Sequence, residues 1–289
     1  MDFTGKPPTS SPFPGPDGAP AERDLSALAL PDAERGFAAG WANRRNLLTL
    51  AGLGALFLLW ELGARLTHNI AVASPAEAFS ALGRLLVSRS FHENFWISLW
   101  RILAGVGIGG TIGFVLGVGA GIRPELRWFL EPFRWTAMSI PPISLLVLVM
   151  LFFGLDTPMV IVFASILLSP IIYINTVKGM ELVDRELEEL ARVCRFPLLM
   201  RVRHLYAPAL TAPLLAGMAQ VLSGGVRVVV LAELVGSGRG VGAAIHSANS
   251  NLNMPVLYAW IFLSVGIVAV FEWLLLRPLQ NHLLRWNRP

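Results

Sequence analysis

From Asn46 to its end the chain is built of six apolar windows, each close to the ~20 residues a helix needs to cross the hydrocarbon core of a bilayer. They are Asn46–Leu66, Ile102–Ile122, Phe133–Phe153, Met159–Val177, Ala209–Ala232 and Val256–Arg277. Hydrocarbon offers no partner to a free backbone amide, so each window has to be helical. The expected fold is therefore all-α, a polytopic membrane protein with about six transmembrane helices. Only 15% of the residues are charged, against about 25% in soluble domains, which excludes a soluble multidomain enzyme. Pro141 and Pro142 interrupt the third window. A kink there is tolerated only where neighbouring protein or water satisfies the freed carbonyls, which places that helix inside a bundle.

The first window starts behind Arg44 and Arg45, too long and too far along for a cleaved signal segment. Ahead of it, Pro7, Pro8, Pro14, Pro16 and Pro20 stand among Ser and Gly, a composition that buries too little apolar surface to offset ordering entropy. Residues 1–43 are expected to form a flexible cytoplasmic tail and 44–289 the membrane domain. Alternate sides of the windows collect seventeen and five Lys and Arg residues, with Arg227 left inside a window. The positive-inside bias then puts both termini in the cytoplasm. It also accounts for the net charge of +4 as topology signals, so no nucleic-acid partner is expected. Cys194 is the single cysteine and can make neither an intramolecular disulfide nor a thiolate metal site.

Two windows carry a patterned face. Gly105, Gly109, Gly113, Gly117 and Gly121 recur every fourth residue in the second, a face on which a partner helix can approach closely. In the fifth, Gln220, Ser223 and Arg227 share one side. A charge within a span costs about 2.5 kcal/mol or more unless it meets protein or water, so this stripe reads as the lining of a translocation path suited to an anion. The alternative is an Arg227 that snorkels or pairs with a carboxylate of another helix. Glu61 and Arg65 are spaced to pair with each other.

The most charged stretch lies between windows four and five. Val183, Leu187, Leu190, Ala191 and Cys194 fall on one helical face, with Asp184, Glu186, Glu188 and Glu189 early and Arg192 and Arg195 late, as the helix dipole favours. Phe196-Pro197 ends that helix, and a second short one runs to Pro208, where the fifth window begins. A lipid-binding surface helix has a predominantly basic polar face. The acidic first turns here favour docking into a groove on another protein.

Glu189-Leu190-Ala191, three residues to Arg195, nine more to Leu205 and then Tyr206-Ala207-Pro208 resembles the coupling motif of ABC-importer permeases, E-A-A-x3-G-x9-I-x-L-P. Further segments carry the likeness: Ser98-Leu99-Trp100-Arg101 with Gly105, Ser139-Ile140-Pro141-Pro142, Phe153-Gly154, Ala232-Glu233, Gly238, Gly240, Val241, Gly242 and Leu283-Leu284-Arg285-Trp286. The chain is most similar to the nitrate, sulfonate, taurine and bicarbonate branch. The resemblance implies a type I importer permease fold in a bacterial inner membrane, with loop 178–207 as the coupling helix. Glu188, Glu189, Leu190, Ala191, Arg192, Cys194, Arg195 and Pro208 would meet a cytoplasmic ATPase that carries the ATP and magnesium. It also implies an extracytoplasmic solute-binding protein, a second permease copy, identical or not, and a small anionic solute of nitrate, sulfonate, taurine, bicarbonate or aromatic-acid type.

Two positions depart from the motif, Leu190 for the middle alanine and Arg195 for the turn glycine. A glycine turn commonly needs positive φ, which Arg adopts only at a cost. Either the loop turns differently, through Pro197, or the subunit holds its ATPase weakly beside a second, different permease. The sequence offers no Walker A segment, no H-E-x-x-H and no nucleophile with an activating base, so neither catalytic residues nor a bound metal or cofactor are expected. The competing readings are a secondary transporter and an accessory membrane subunit without ATPase coupling.

Overall fold

The computed structural model describes residues 32–66 and 72–276, with side chains from Leu47 to Trp273 apart from Arg185. The described residues are helical or short connections, without strands. The chain divides after Leu58 into two units. The smaller contains most of α1 (Asp32–Leu66), a helix exposing Leu47, Leu48, Leu50, Leu53 and Leu56. Of the tail expected over 1–43, residues 32–43 form the start of α1, and the remainder lies outside the described residues.

The larger unit begins with the last turns of α1, where Arg65 Nε donates to Glu61 Oε1 at 2.7 Å. Trp60 packs on Phe79, Tyr258 and Phe262. Phe79 lies on α2 (Pro75–Leu86), which a capping box opens: Ser74 Oγ accepts from Glu77 N–H while the Glu77 carboxylate accepts from Ser74 N–H. That pattern, with Pro75 in the first turn, marks a helix start in sequence.

Three long helices form the core: α3 (Arg89–Ile122), α6 (Thr157–Glu181) and α9 (Ala207–Gly236). The glycine face of α3 meets α6 directly. A Cβ on Gly109 would fall 2.7 Å from the Ser165 carbonyl, and Gly105, Gly113, Gly117 and Gly121 face Ala164, Ser169, Thr176 and Met180 of the same helix. Buried Phe163, Leu168, Ile172, Val226 and Val229 fill the space toward α9.

The third window differs from the single kinked span expected. It is two helices, α4 (Pro124–Ser139) and α5 (Pro142–Phe153), at 103°. Ile140 and Pro141 each precede a proline, which disfavours the helical region, and both are extended at ψ 127° and 133°. Two successive extended residues redirect the chain where one proline would bend it. The twelve residues of α5 rise about 18 Å, too short to span alone.

After α6 come α7 (Arg185–Val193) and the short α8 (Leu198–Arg201). Pro208 does not end a separate helix, as the sequence suggested: α8 runs through a wider π turn, Val202–Tyr206, into α9, one continuous helix from Leu198 to Gly236. The wide turn comes just before a residue with no N–H to give and a ring that needs room. α10 (Val241–Ser250) and α11 (Met254–Val270) complete the unit. His246 and Asn249 lie on α10, and Arg277 of the sixth window lies outside the described residues.

Candidate functional site

At one end of the larger unit α7 and α8 form a braced hairpin. Asp184 caps α7 by accepting from Glu186 N–H at 2.9 Å. Cys194 and Arg195 N–H donate to the Leu190 and Arg192 carbonyls, and Phe196 N–H reaches Ala191 O at 2.9 Å. This is a left-handed helix termination, with Arg195 at φ +50° in the glycine position. The loop therefore keeps the glycine-type turn; the alternative turn through Pro197 is excluded. Glu188 faces inward, accepting from Arg201 Nη2 (3.4 Å) and Tyr206 Oη (3.2 Å), so it ties α7 to the segment leading into α9. Ala191 is buried beneath the turn, while Glu189, Leu190, Arg192, Cys194, Arg195 and Pro208 are exposed. Leu187, Val193, Leu198 and Leu199 add apolar surface exposed by 51–80%.

Along α9, Gln220 and Arg227 are exposed on the surface of the single chain and Ser223 is half-buried between them. Arg227 Nη2 donates to Ser223 Oγ at 3.3 Å. By helix rise Arg227 lies about 14 Å from the Gly236 end, well inside the apolar stretch.

The end of the unit bearing α10 contains a site that sequence reasoning did not assemble. Arg101 of α3 is 1% exposed and Glu233 of α9 is wholly buried. Every guanidinium N–H of Arg101 has an acceptor: Nη1 donates to Glu233 Oε1 (3.0 Å) and Arg239 O (2.7 Å), Nη2 to Asp156 Oδ1 (2.6 Å) and Thr157 Oγ1, and Nε to Thr157 Oγ1. Glu233 also accepts from Ser98 Oγ and from Gly242 N–H at 3.0 Å. The Gly242 amide in the first turn of α10 thus points at a carboxylate, the partner a helix N-terminus favours. Ser98 Oγ accepts from Val241 N–H, and Asn94 Oδ1 from Gly240 N–H. A Cβ on Gly240, at φ +111°, would run into the Glu233 carboxylate. Such a pair offsets its desolvation only when all remaining donors and acceptors are satisfied, as they are here.

Residues 109–287 match the family model described as the binding-protein-dependent transport system inner membrane component. The chain belongs to this family. Relatives agree: the putative aliphatic sulfonates transport permease protein SsuC of Bacillus subtilis (strain 168) is 26% identical, covering 80% of this chain and 84% of that one. The taurine transport system permease protein TauC of Escherichia coli (strain K12) is 25% identical, over 85% and 91%. A chain of the inward-facing MetNI methionine ABC transporter shares the fold, with TM-score 0.53 and 21% identity, over 63% of this chain and 93% of that one. This chain is thus a multi-pass permease subunit of a binding-protein-dependent ABC importer.

The permease's buried network was present in the sequence only as scattered motif residues. Arg101 and Glu233 are 132 positions apart, and nothing local pairs them. The available signal was chemical: an arginine and a glutamate, each bordered by apolar helix, need partners in a membrane.

Proposed function

We propose that this permease imports a small anion, with α7–α8 receiving a cytoplasmic ATPase, the α10 end receiving a loaded binding protein, and Gln220, Ser223 and Arg227 lining the path. The observation that carries the reading is Arg227, exposed on α9 within the apolar stretch and hydrogen-bonded to Ser223. Facing hydrocarbon, that guanidinium would cost about 2.5 kcal/mol or more; facing a wet path shared with a second permease copy, it is solvated and attracts anions. The names of the sulfonate and taurine relatives support the same solute class. The Lys and Arg asymmetry supports cytoplasmic termini and α7–α8 on the cytoplasmic side. ATP binding would draw the two hairpins together and open the path outward, and hydrolysis would reset it, two conformations biased by a partner.

The test is uptake by the reconstituted importer. Arg227→Gln should lower anion uptake at least tenfold, while ATPase retention on co-purification and thermal stability stay unchanged. Unchanged uptake sinks the path assignment.

A further inference from the structure

A cavity of about 370 Å³ lies between α3, α4 and α6. Its walls are apolar, with Ile108, Leu116, Phe133 and Ile166 among them. Its α6 wall, from Ile161 to Tyr173, rises about 18 Å, slightly more than one leaflet's share of a ~30 Å hydrocarbon core. The polar groups that mark its ends are unevenly placed. Ser165 donates to the Ile161 carbonyl and Ser169 to the Ile166 carbonyl, so both hydroxyls are satisfied within α6. At the end nearer α7–α8 stand the Arg134 guanidinium, held by Glu131 and 21% exposed, and Tyr173, which is 7% exposed with a buried hydroxyl that has no hydrogen-bond partner.

We propose that this crevice is a phospholipid site, taking one acyl chain along Ile108, Leu116, Phe133 and Ile166 and a headgroup oxygen at the Tyr173 hydroxyl and Arg134. A translocated anion would find no solvation along these walls. A hydrocarbon chain finds apolar contact throughout, and a small rotation of the Tyr173 ring out of its buried position lets an ester or phosphate oxygen accept from the hydroxyl that otherwise lacks a partner. The surrounding medium supplies such chains at high concentration. The crevice also explains how α4 is held: none of its residues is buried, so a lipid chain wedged against α3 and α6 completes packing that protein atoms leave open. Its lining comes from α3, α4 and α6 and includes neither the Arg227 stripe nor any residue of the α7–α8 hairpin.

The full chain, reconstituted in vesicles of phosphatidylethanolamine and phosphatidylglycerol, is cross-linked with a phosphatidylglycerol bearing a diazirine in its acyl chain. Cross-links should concentrate on peptides carrying Leu116, Phe133 and Ile166, about fivefold above those on the exposed face of α11. Ala137→Trp and Ile112→Trp, which fill the crevice, should bring them down to that background. Tyr173→Phe keeps the volume and should reduce phosphatidylglycerol retained in native mass spectra about fivefold. Labelling spread evenly over the apolar surface overturns the site, as does focused labelling that the tryptophan variants leave intact. A loss of subunit association in those variants with unchanged labelling assigns the crevice to a second protein chain and also overturns it. Should they fail to fold, the label distribution on the native chain and the Tyr173→Phe comparison still decide.

Discussion

Arg195 and Asp156 occupy backbone positions that suit glycine. Arg195, at φ +50°, costs about 1–2 kcal/mol relative to a right-handed residue, and its side chain has no described contact that offsets this. Arg195→Gly should therefore tighten the end of α7, raising hydrogen-exchange protection of the Phe196 amide about fivefold. Asp156, at φ +99°, is held on both sides: its N–H donates to Gly236 O at 2.9 Å and its carboxylate accepts from Arg101. Asp156→Gly loses the charged bond but relieves the backbone, whereas Asp156→Ala loses the bond and keeps the strain. The glycine variant should be the more stable by about 1–3 kcal/mol, read from unfolding in detergent. For the buried pair, Arg101→Met strands Glu233 and should cost about 3–5 kcal/mol, much of which Arg101→Met with Glu233→Leu restores. Additive losses in that cycle would show that the pair is not a unit.

At the scale of elements, the α3–α6 contact is the one most open to a single-residue test. Gly113 lies against Ser169 and Ile172, while Gly107 on the opposite side of α3 has nothing within 4 Å. Gly113→Leu should destabilise the protein by at least about 3 kcal/mol; Gly107→Leu should not, and equal losses would place the tight face elsewhere. The four-residue glycine period was legible because helical spacing turns sequence directly into a face. The break at Ile140-Pro141 was legible as an interruption but not as a right-angled turn, since its size depends on two consecutive extended residues. α10 was hidden for a different reason: its ten residues are too few for a span, and its opening amides are satisfied by Glu233, Ser98 and Asn94 rather than by a local cap. α2 was missed although Ser74, Pro75 and Glu77 carry its start signal, because its twelve residues are too few for a span and apolar length reveals only the spans.

At the scale of the molecule, the larger unit presents an apolar hairpin at one end, a fully satisfied charge network at the other, and a guanidinium between them along α9. The proposal that the hairpin receives an ATPase gives a direct outcome. Leu190→Asp and Glu189→Arg lie on exposed positions, so both should leave membrane insertion and thermal stability intact while releasing the ATPase on co-purification. Spans and hairpin followed from hydrophobic length and helical period, which are local properties. The network did not, because its members come from four segments that meet only once the bundle has formed.

That wide separation sets an order of assembly. During synthesis α3 enters the bilayer long before α9, which must partition with Arg227 and Glu233 aboard, each costing a few kcal/mol in hydrocarbon. Arg101, already in place, is the counterion waiting for Glu233, so the earlier helix acts as a receptor for the later one. In a translocon insertion assay on the full chain, Arg101→Met should lower the fraction of nascent chains in which α9 is retained across the membrane, with α3 unaffected. The arginine that fastens the finished permease thereby also helps decide whether its fifth span enters the lipid at all.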